Sequence, residues 1–432
     1  MTHGLTAEPG ARSAQQPYPL WHPMTRMRQY LASPVVIVEG HGNTLVDDSG
    51  QRLLSANAAL WNVATGFDDP QILDAIRKQL DLLPYGTLFR YAHQPAIDLA
   101  HRLIELVPGS GLTRVYYATS GGSAVDAALK LVRRYQRLIG RPDRAVVAAL
   151  ADGYHGTLYG SMAVTGEDLE QDEYGVDRRY VRHVPTPVDD PEPALRALAE
   201  VSDQLAAVIV EPVLGSAGVV VPHPDFFAAL GELQREQDVL VIVDEVATGF
   251  GRTGRMFAHE WFDLHPDILV LSKAITNGYL PLAALLVHER VWHAFDAAGV
   301  DFLHGETQAG NPLACVAAIA TIDAIVSRGL VQRAERMGQL LRQRLVELLP
   351  RAGGQAGPVV GLGLMLGVRL GRPGQPADPR SIGAVVERFR DHGVIVHPSN
   401  IGISLFPPLT VTEQEVEQVC AAAAAVFEEL TL

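Results

Sequence analysis

The chain has 432 residues, of which 47% are hydrophobic, and its formal net charge is −14. This length and apolar content allow a large buried core, divided among two or three domains or between one large and one small domain that share a site. The acidic balance argues against a nucleic-acid-binding surface. No apolar run reaches the length of a membrane-spanning helix, so we expect no membrane insertion.

Cysteine usage and the start of the chain indicate the compartment. The two cysteines, Cys315 and Cys420, are too few for a disulfide framework, and both lie in alanine-rich helical patterns. We expect them to be buried and reduced in a cytoplasmic protein. Residues 1–16 lack a charged region followed by an apolar core, so they predict a flexible tail rather than a secretory signal.

The predicted elements begin with strand-like runs at 35–38 and 44–48, joined by a glycine-rich turn. From about residue 70, amphipathic helices alternate with short apolar strands. Helices are predicted at 70–83, 94–107, 122–139, 191–203, 224–237 and 311–328, and strands at 114–118, 145–149, 206–210, 239–243, 268–271 and 282–287. This alternation is typical of an α/β fold whose mostly parallel sheet is covered on both faces.

The last hundred residues show a different pattern. A long amphipathic helix is predicted at 329–349, followed by strand-like runs at 363–370, 394–396 and 401–406 and a final helix at 413–430. We therefore predict a large domain at 66–328 and a smaller α+β domain formed by 17–65 together with 329–432.

One lysine differs from the others in its surroundings. The chain has only three lysines, and Lys78 and Lys130 lie in amphipathic helical patterns, whereas Lys273 follows the uncharged run 268–271. Open α/β sheets bind their ligands at the carboxyl ends of the strands. Lys273 is therefore the candidate for a Schiff-base lysine activated by partial desolvation. The alternative is a lysine whose stem is buried and whose charge reaches solvent.

Three further segments follow predicted strands. Gly121 and Gly122 open a helix and could hold an anion such as phosphate, although an ordinary helix cap has the same pattern. Tyr154, between glycines, could lie flat on a planar cofactor or simply belong to a tight turn. Asp244 ends an apolar run, and a buried carboxylate needs a partner, which could be a protonated heterocyclic nitrogen or a structural hydrogen bond.

The order of these segments is informative where each alone is not. A glycine-rich cradle, an aromatic residue and a strand-end aspartate precede a lysine that lies 29 residues (273 − 244) after the aspartate. Pyridoxal 5′-phosphate requires such a lysine, carboxylate, anion cradle and stacking ring. No histidine or cysteine cluster has the spacing of metal ligands, so no metal is predicted.

The stretch Asp244-Glu245-Val246-Ala247-Thr248-Gly249-Phe250-Gly251-Arg252-Thr253-Gly254, together with Ser272-Lys273-Ala274, resembles the class-III pyridoxal-phosphate aminotransferases of fold type I. The resemblance covers nearly the whole chain. It implies that Lys273 binds the cofactor and moves a proton, while Asp244 keeps the pyridine nitrogen protonated. It further implies that the ring lies between Tyr154 and Val246, that the phosphate meets Gly121 and Gly122, and that Glu211 braces the cofactor's surroundings.

The same resemblance implies an oligomer. Thr307 is similar to a threonine that reaches the cofactor phosphate of the neighbouring subunit. If so, the protein is a homodimer with shared active sites.

Three positions that bear on the substrate depart from the diaminopelargonate aminotransferases, the branch that the chain most resembles. Met24 stands where that branch has a tyrosine, Leu60-Trp61 where it has paired tryptophans, and His397 where it has a carboxylate-binding arginine. The resemblance thus assigns substrate contacts to Met24, Trp61 and His397, and a neutral histidine is a poor substitute for a bidentate arginine. Ser216 and Ser404 replace the glutamate and arginine gate of the ornithine and 4-aminobutyrate branch.

We therefore expect an aminotransferase that moves an amino group from a small donor to a ketone or aldehyde lacking a nearby carboxylate, in specialised metabolism. The alternatives are a diaminopelargonate aminotransferase of biotin synthesis or another class-III omega-aminotransferase. A lyase or racemase on the same cofactor, and a non-catalytic binding subunit, are more distant alternatives.

Overall fold

A computed structural model describes residues 18–372 and 374–430. The tail predicted at 1–16 lies outside the described residues. The strands are β1 (Ile37–His41), β2 (Thr44–Asp47), β3 (Arg52–Ser55), β4 (Leu112–Ala118), β5 (Val146–Leu150), β6 (Val181–Val184), β7 (Leu205–Val210), β8 (Leu240–Asp244), β9 (Ile268–Leu271), β10 (Ala283–His288), β11 (Ala356–Leu362), β12 (Met365–Arg372), β13 (Gln375–Pro376), β14 (Val394–Ile395), β15 (His397–Ser399) and β16 (Gly402–Leu405).

Helices pack around these strands. They span Met27–Ala32, Pro70–Leu82, Gln94–Glu105, Gly121–Leu138, Tyr159–Val164, Glu192–Ala199, Pro224–Gln237, Glu289–Ala298, Pro312–Ser327, Leu330–Leu348, Pro379–Asp391 and Glu413–Glu428. No single helix in the described part of the chain is long and apolar enough to cross a membrane. Helices 312–327 and 330–352 pass that test only as a pair, across a bend of 63°.

The largest sheet has seven strands in the order β4-β10-β9-β8-β7-β5-β6. Only β10 runs antiparallel to its neighbours, and the other pairings are parallel. Every residue of β5, β7, β8 and β9 is buried, which explains their uninterrupted apolar sequences. The predicted mixed α/β fold with a mostly parallel sheet is confirmed.

Two smaller sheets complete the fold. One has the order β1-β2-β3-β14, so it joins the beginning of the chain to residues near 394, and the other has the order β11-β12-β16-β15 with β13 beside β12. The six predicted strands of the large sheet are confirmed to within two residues. Elements absent from the prediction include β6, β11 and the helices Glu289–Ala298 and Pro379–Asp391. Strand β6 has only four residues, too few for a clear alternation, and Gly383 interrupts the pattern of the helix Pro379–Asp391.

The large sheet determines where the site lies. Strands β4, β5, β7, β8 and β9 all point their carboxyl ends to one edge. Ser120, Tyr154, Glu211, Asp244 and Lys273 occur at or just beyond those ends. An open α/β sheet therefore gathers residues from distant parts of the sequence into a single crevice.

Candidate active site

A cavity of about 270 Å³ occupies this edge of the large sheet, and we call it the catalytic cavity. Eight of the residues predicted from the sequence line it: Trp61, Gly121, Gly122, Tyr154, Glu211, Asp244, Val246 and Lys273. The remaining three, Met24, Thr307 and His397, are not among its lining residues. The strand-end pattern of the sequence thus converges on one place.

Lys273 begins a short 3₁₀ turn directly after β9 and Ser272. Its φ of 47° is in the left-handed region, which a residue with a side chain adopts only under constraint from its surroundings. Burial lowers the pKa of the Lys273 amine, against the opposing effect of the Asp244 and Glu211 carboxylates. The lowered pKa favours the neutral amine, which is the nucleophilic form.

Asp244 is held in place from two sides. The Nδ1 of His155 lies 2.8 Å from Oδ2 of Asp244, and the Val246 backbone N–H donates to Oδ1 at 3.0 Å. The His155 side chain is fully buried, and its Nε2 has no partner among the described residues. Sequence reasoning missed His155, although it follows Tyr154 directly. The pairing fixes which way the carboxylate faces.

Glu211 supports the loop that carries Tyr154. Its Oε1 accepts the backbone N–H of Tyr154 at 2.9 Å, and its Oε2 accepts that of Gly215 at 3.2 Å. Burial raises the pKa of the Glu211 carboxyl to about 7, with the nearby Asp244 charge adding to the shift and His155 opposing it. Burial also raises the pKa of the Tyr154 hydroxyl, and the charge of Glu167 is the second cause of this rise.

The helix Gly121–Leu138 begins at the cavity wall, where Ser120 caps it together with Ser123. The N–H groups of Gly121 and Gly122 have no acceptor inside the helix, as is general for a first turn. A Cβ on Gly156 would lie 2.8 Å from the Gly122 Cα, so only glycine permits this close approach. Free N–H groups and the helix dipole together form a cradle that suits a phosphate.

Trp61 covers the opposite side of the catalytic cavity. The amine of Lys273 lies 4.6 Å from the centre of its ring, and the ring stacks on Phe406 at 4.6 Å and 15°. Residues 58–61 all have positive φ, between 46° and 65°, so this segment is a left-handed turn without glycine. The Asn57 side chain accepts the Ala59 N–H and helps to hold the turn.

His397 and Ser404, which lie beyond Trp61, carry no charge at neutral pH. The His397 ring meets the Trp61 ring edge-on at 5.3 Å, and burial, with the Lys273 charge second, lowers the pKa of His397 to about 4. His397 is paired with Ser404 across β15 and β16, so both side chains share one face. Trp61 Nε1 and Ser404 Oγ have no hydrogen-bond partner among the described residues. This wall offers neutral donors where a carboxylate would need a cation.

Met24 and Thr307 lie outside the catalytic cavity. Met24 lines a larger cavity of about 940 Å³, which we call the mouth cavity and which shares Thr157 with the catalytic one. Thr307 is exposed, and its carbonyl accepts the Tyr85 hydroxyl at 2.9 Å. Neither residue reaches Lys273 within the single chain.

The arrangement fits the cofactor that the sequence suggested. A buried amine and a carboxylate oriented by His155 line one small cavity, together with an aromatic ring and an anion cradle. Gly121 and Gly122 line the cavity and are both partly exposed, which leaves the cradle accessible to a phosphate. The residues present therefore match pyridoxal phosphate in chemistry and in position.

Comparison with known proteins gives a consistent result. The family model "Aminotransferase class-III" matches residues 26–427. An adenosylmethionine-8-amino-7-oxononanoate aminotransferase from Nitratidesulfovibrio vulgaris is 37% identical over 426 residues, which cover 92% of this chain and 78% of the relative.

Solved structures with the same fold are transaminases. An amine transaminase from an uncultivated Pseudomonas species, in its PLP-bound form, has a TM-score of 0.91 at 34% identity and covers 95% of this chain and 99% of its own. An (S)-enantioselective omega-transaminase from Thermomicrobium roseum has a TM-score of 0.89 at 32% identity and covers 94% of this chain and 95% of its own.

Proposed function

The chain belongs to the class-III aminotransferases, and from that premise we propose that it uses pyridoxal 5′-phosphate to move an amino group from a small donor to a ketone or aldehyde. The observation that carries this proposal is the catalytic cavity, in which the buried Lys273 amine shares one space with Asp244 and the Gly121–Gly122 cradle.

When bound, pyridoxal phosphate supplies an aldehyde that condenses with amines and a ring that accepts electrons. Lys273 provides the neutral amine, and its Nζ takes up and returns the proton that moves during transfer. Asp244, oriented by His155, would hold a proton on the ring nitrogen. Tyr154 and Val246 would hold the ring between them, and Glu211 fixes the Tyr154 backbone.

The test is optical and chemical. The purified protein should be yellow, with an absorbance maximum at about 410–430 nm that borohydride removes. Lys273→Ala should lose both the colour and the activity, whereas Lys78→Ala, on an exposed helix surface, should keep both. A colourless wild-type protein, or an active Lys273→Ala variant, would contradict the proposal.

For the acceptor, we propose a carbonyl compound without a carboxylate near the reacting carbon, in specialised metabolism. The wall formed by Trp61, His397 and Ser404 supports this, because none of these groups carries a positive charge at neutral pH. A donor–acceptor screen should give higher kcat/KM for such ketones or aldehydes than for α-keto acids of equal length.

A diaminopelargonate aminotransferase is the second candidate, favoured by the name of the Nitratidesulfovibrio relative. Efficient amination of 8-amino-7-oxononanoate with S-adenosylmethionine would support it over the first. Poor turnover with that pair, beside good turnover with simpler ketones, would support the first.

We also propose a homodimer in which Thr307 of each chain reaches the phosphate of its partner. Exposed apolar residues near Thr307 support an interface, among them Phe89, Tyr91 and Leu303 at 55, 75 and 83% exposure. In mixed dimers of Lys273→Ala and Thr307→Ala chains, one site would regain both intact residues. Each mixed dimer should therefore have about half the activity of a wild-type dimer. If each site used residues of one chain only, mixing would restore no activity.

The domain division proposed for this chain follows its sheets. Residues 66–328 would form the cofactor-binding domain, and 17–65 with 329–432 the smaller one, consistent with the pairing of β3 with β14. Cys315 and Cys420 are free and buried, which agrees with the proposed cytoplasmic location.

A further inference from the structure

A separate cavity of about 540 Å³ lies between the large sheet and the five-stranded sheet, and we call it the intersheet cavity. None of its lining residues lines the catalytic cavity. The large-sheet wall carries four carboxylates, those of Asp152, Glu167, Asp168 and Asp189. The other wall carries one cation, Arg369 of β12, beside Asn400.

Arg369 is a half-buried arginine without a partner. Its guanidinium makes no hydrogen bond or salt bridge with any residue in the described ranges, and its Nε is shielded from solvent. A guanidinium has five N–H donors, and a buried donor without an acceptor is destabilising. The acceptor for this guanidinium must come from outside the described residues, as water or as a ligand. A carboxylate matches it best, because it can accept two parallel N–H bonds.

The opposite wall determines what else such a ligand must carry. Glu167 is fixed there because its carboxylate accepts the Ser216 hydroxyl at 2.8 Å and the Asn400 side-chain amide at 3.1 Å. Four carboxylates and one guanidinium line this cavity, so the net negative charge of its lining repels a simple anion but attracts an ammonium group. A ligand with both charges satisfies both walls.

From this geometry we infer that the intersheet cavity binds a zwitterionic α-amino acid, with its carboxylate on Arg369 and its ammonium on the acidic wall. The cavity shares Asp168 and Asn400 with the mouth cavity, which in turn shares Thr157 with the catalytic cavity. An amino acid held here would lie two neighbouring cavities away from Lys273. Its identification as the waiting amino donor rests on the proposed function.

Binding can be measured without turnover. Borohydride reduction of the holoenzyme would fix the cofactor on Lys273, so that an added amino acid could no longer react there. Calorimetric titration would then use three matched probes: L-norleucine, hexanoate, which lacks the ammonium, and pentylamine, which lacks the carboxylate. The variants are Arg369→Gln and, as a control for charge on the same strand, the exposed Arg372→Gln.

The inference predicts that reduced wild type binds L-norleucine at least 10-fold more tightly than either single-charge probe. Arg369→Gln should weaken L-norleucine binding at least 10-fold, and Arg372→Gln should leave it unchanged. Equal binding by the Arg369→Gln variant, or hexanoate binding as tight as L-norleucine binding, would overturn the inference. A protein that borohydride cannot reduce would instead contradict the proposed function, so the two failures are distinct.

Discussion

The catalytic cavity has two sides that differ in charge and in hydrogen bonding. The floor, formed by Asp244, His155 and Glu211, is ionisable, and each carboxylate oxygen has a donor at 2.8–3.2 Å. The roof consists of Trp61 on the cavity wall, with His397 and Ser404 packed behind it. It is neutral and contains two buried polar atoms without a hydrogen-bond partner among the described residues. Every carboxylate oxygen of the floor is paired within the chain, whereas Trp61 Nε1 and Ser404 Oγ in the roof have no partner among the described residues. The floor would thus serve the cofactor chemistry that class-III aminotransferases share, and the roof would select the substrate.

The largest effect should follow from neutralising the floor. Asp244→Asn removes the charge that would hold a proton on the ring nitrogen, while its amide oxygen can still accept from His155. Loss of one electrostatic group aimed at the reacting centre typically costs about 10²–10³-fold in kcat, so we expect a fall of that size. The exposed Asp263→Asn serves as the control. If steady-state kinetics showed less than a tenfold loss, the floor would not have the assigned role.

The pH dependence of stability tests the second carboxylate of the floor. Folded Glu211 keeps its proton to about pH 7, while an unfolded carboxyl loses it near 4.5. Between these values the folded state binds more protons, so the contribution of Glu211 to stability falls as the pH rises, by about 3 kcal/mol in all. Denaturant unfolding from pH 4.5 to 7 should show this slope in wild type but not in Glu211→Gln. If the stabilities of wild type and Glu211→Gln changed with pH in parallel, the raised pKa of Glu211 would be contradicted.

His155 should matter less than Asp244, because it acts through that carboxylate. His155→Leu leaves Asp244 without its charge-assisted hydrogen bond, which is worth about 1.5–3 kcal/mol. We expect kcat to fall about 10- to 100-fold and the cofactor absorbance of the holoenzyme to change its pH titration. An unchanged titration with full activity would mean that His155 only fills space.

The roof can be tested by giving it a charge. His397→Arg introduces the bidentate cation that the wild-type roof lacks. The KM for an α-keto acid acceptor should fall about tenfold, while that for a ketone of equal length should rise. His397→Gln, which stays neutral, is the matched control. If both variants shifted the two acceptors equally, the roof would not select by charge.

The smallest effect concerns the left-handed turn beneath Trp61. Leu60 has a φ of 63°, a conformation that costs a residue with a side chain about 1–2 kcal/mol. Leu60→Gly should therefore stabilise the protein slightly, by up to about 1 kcal/mol. Leu80→Gly, a similarly exposed leucine within a helix, should destabilise it by about 1 kcal/mol. Equal destabilisation by both would show that the turn is not strained.

The floor was largely predictable from the sequence because its residues follow apolar strands, and strand ends converge by geometry. Asp244 and Lys273 were recognised in this way, and the alternating pattern gave the large sheet. His155 was missed because its role depends on a contact with a residue 89 positions away. No local signal of that contact exists in the sequence.

The roof was less predictable for a different reason. Its position depends on a turn of four non-glycine residues with positive φ, which sequence propensity disfavours. The unpartnered atoms of Trp61 and Ser404 come from the packing of separate sheets and have no sequence signature. Arg369 likewise stands out only once its lack of partners is seen.

Peptide mapping of the borohydride-reduced enzyme tests the central claim most directly. Because the chain has only three lysines, mass spectrometry can assign the pyridoxyl group to one of them without ambiguity. The buried amine at the end of β9 predicts a single modified peptide, containing Lys273. A pyridoxyl group on Lys78 or Lys130 instead, or on no lysine, would contradict the account.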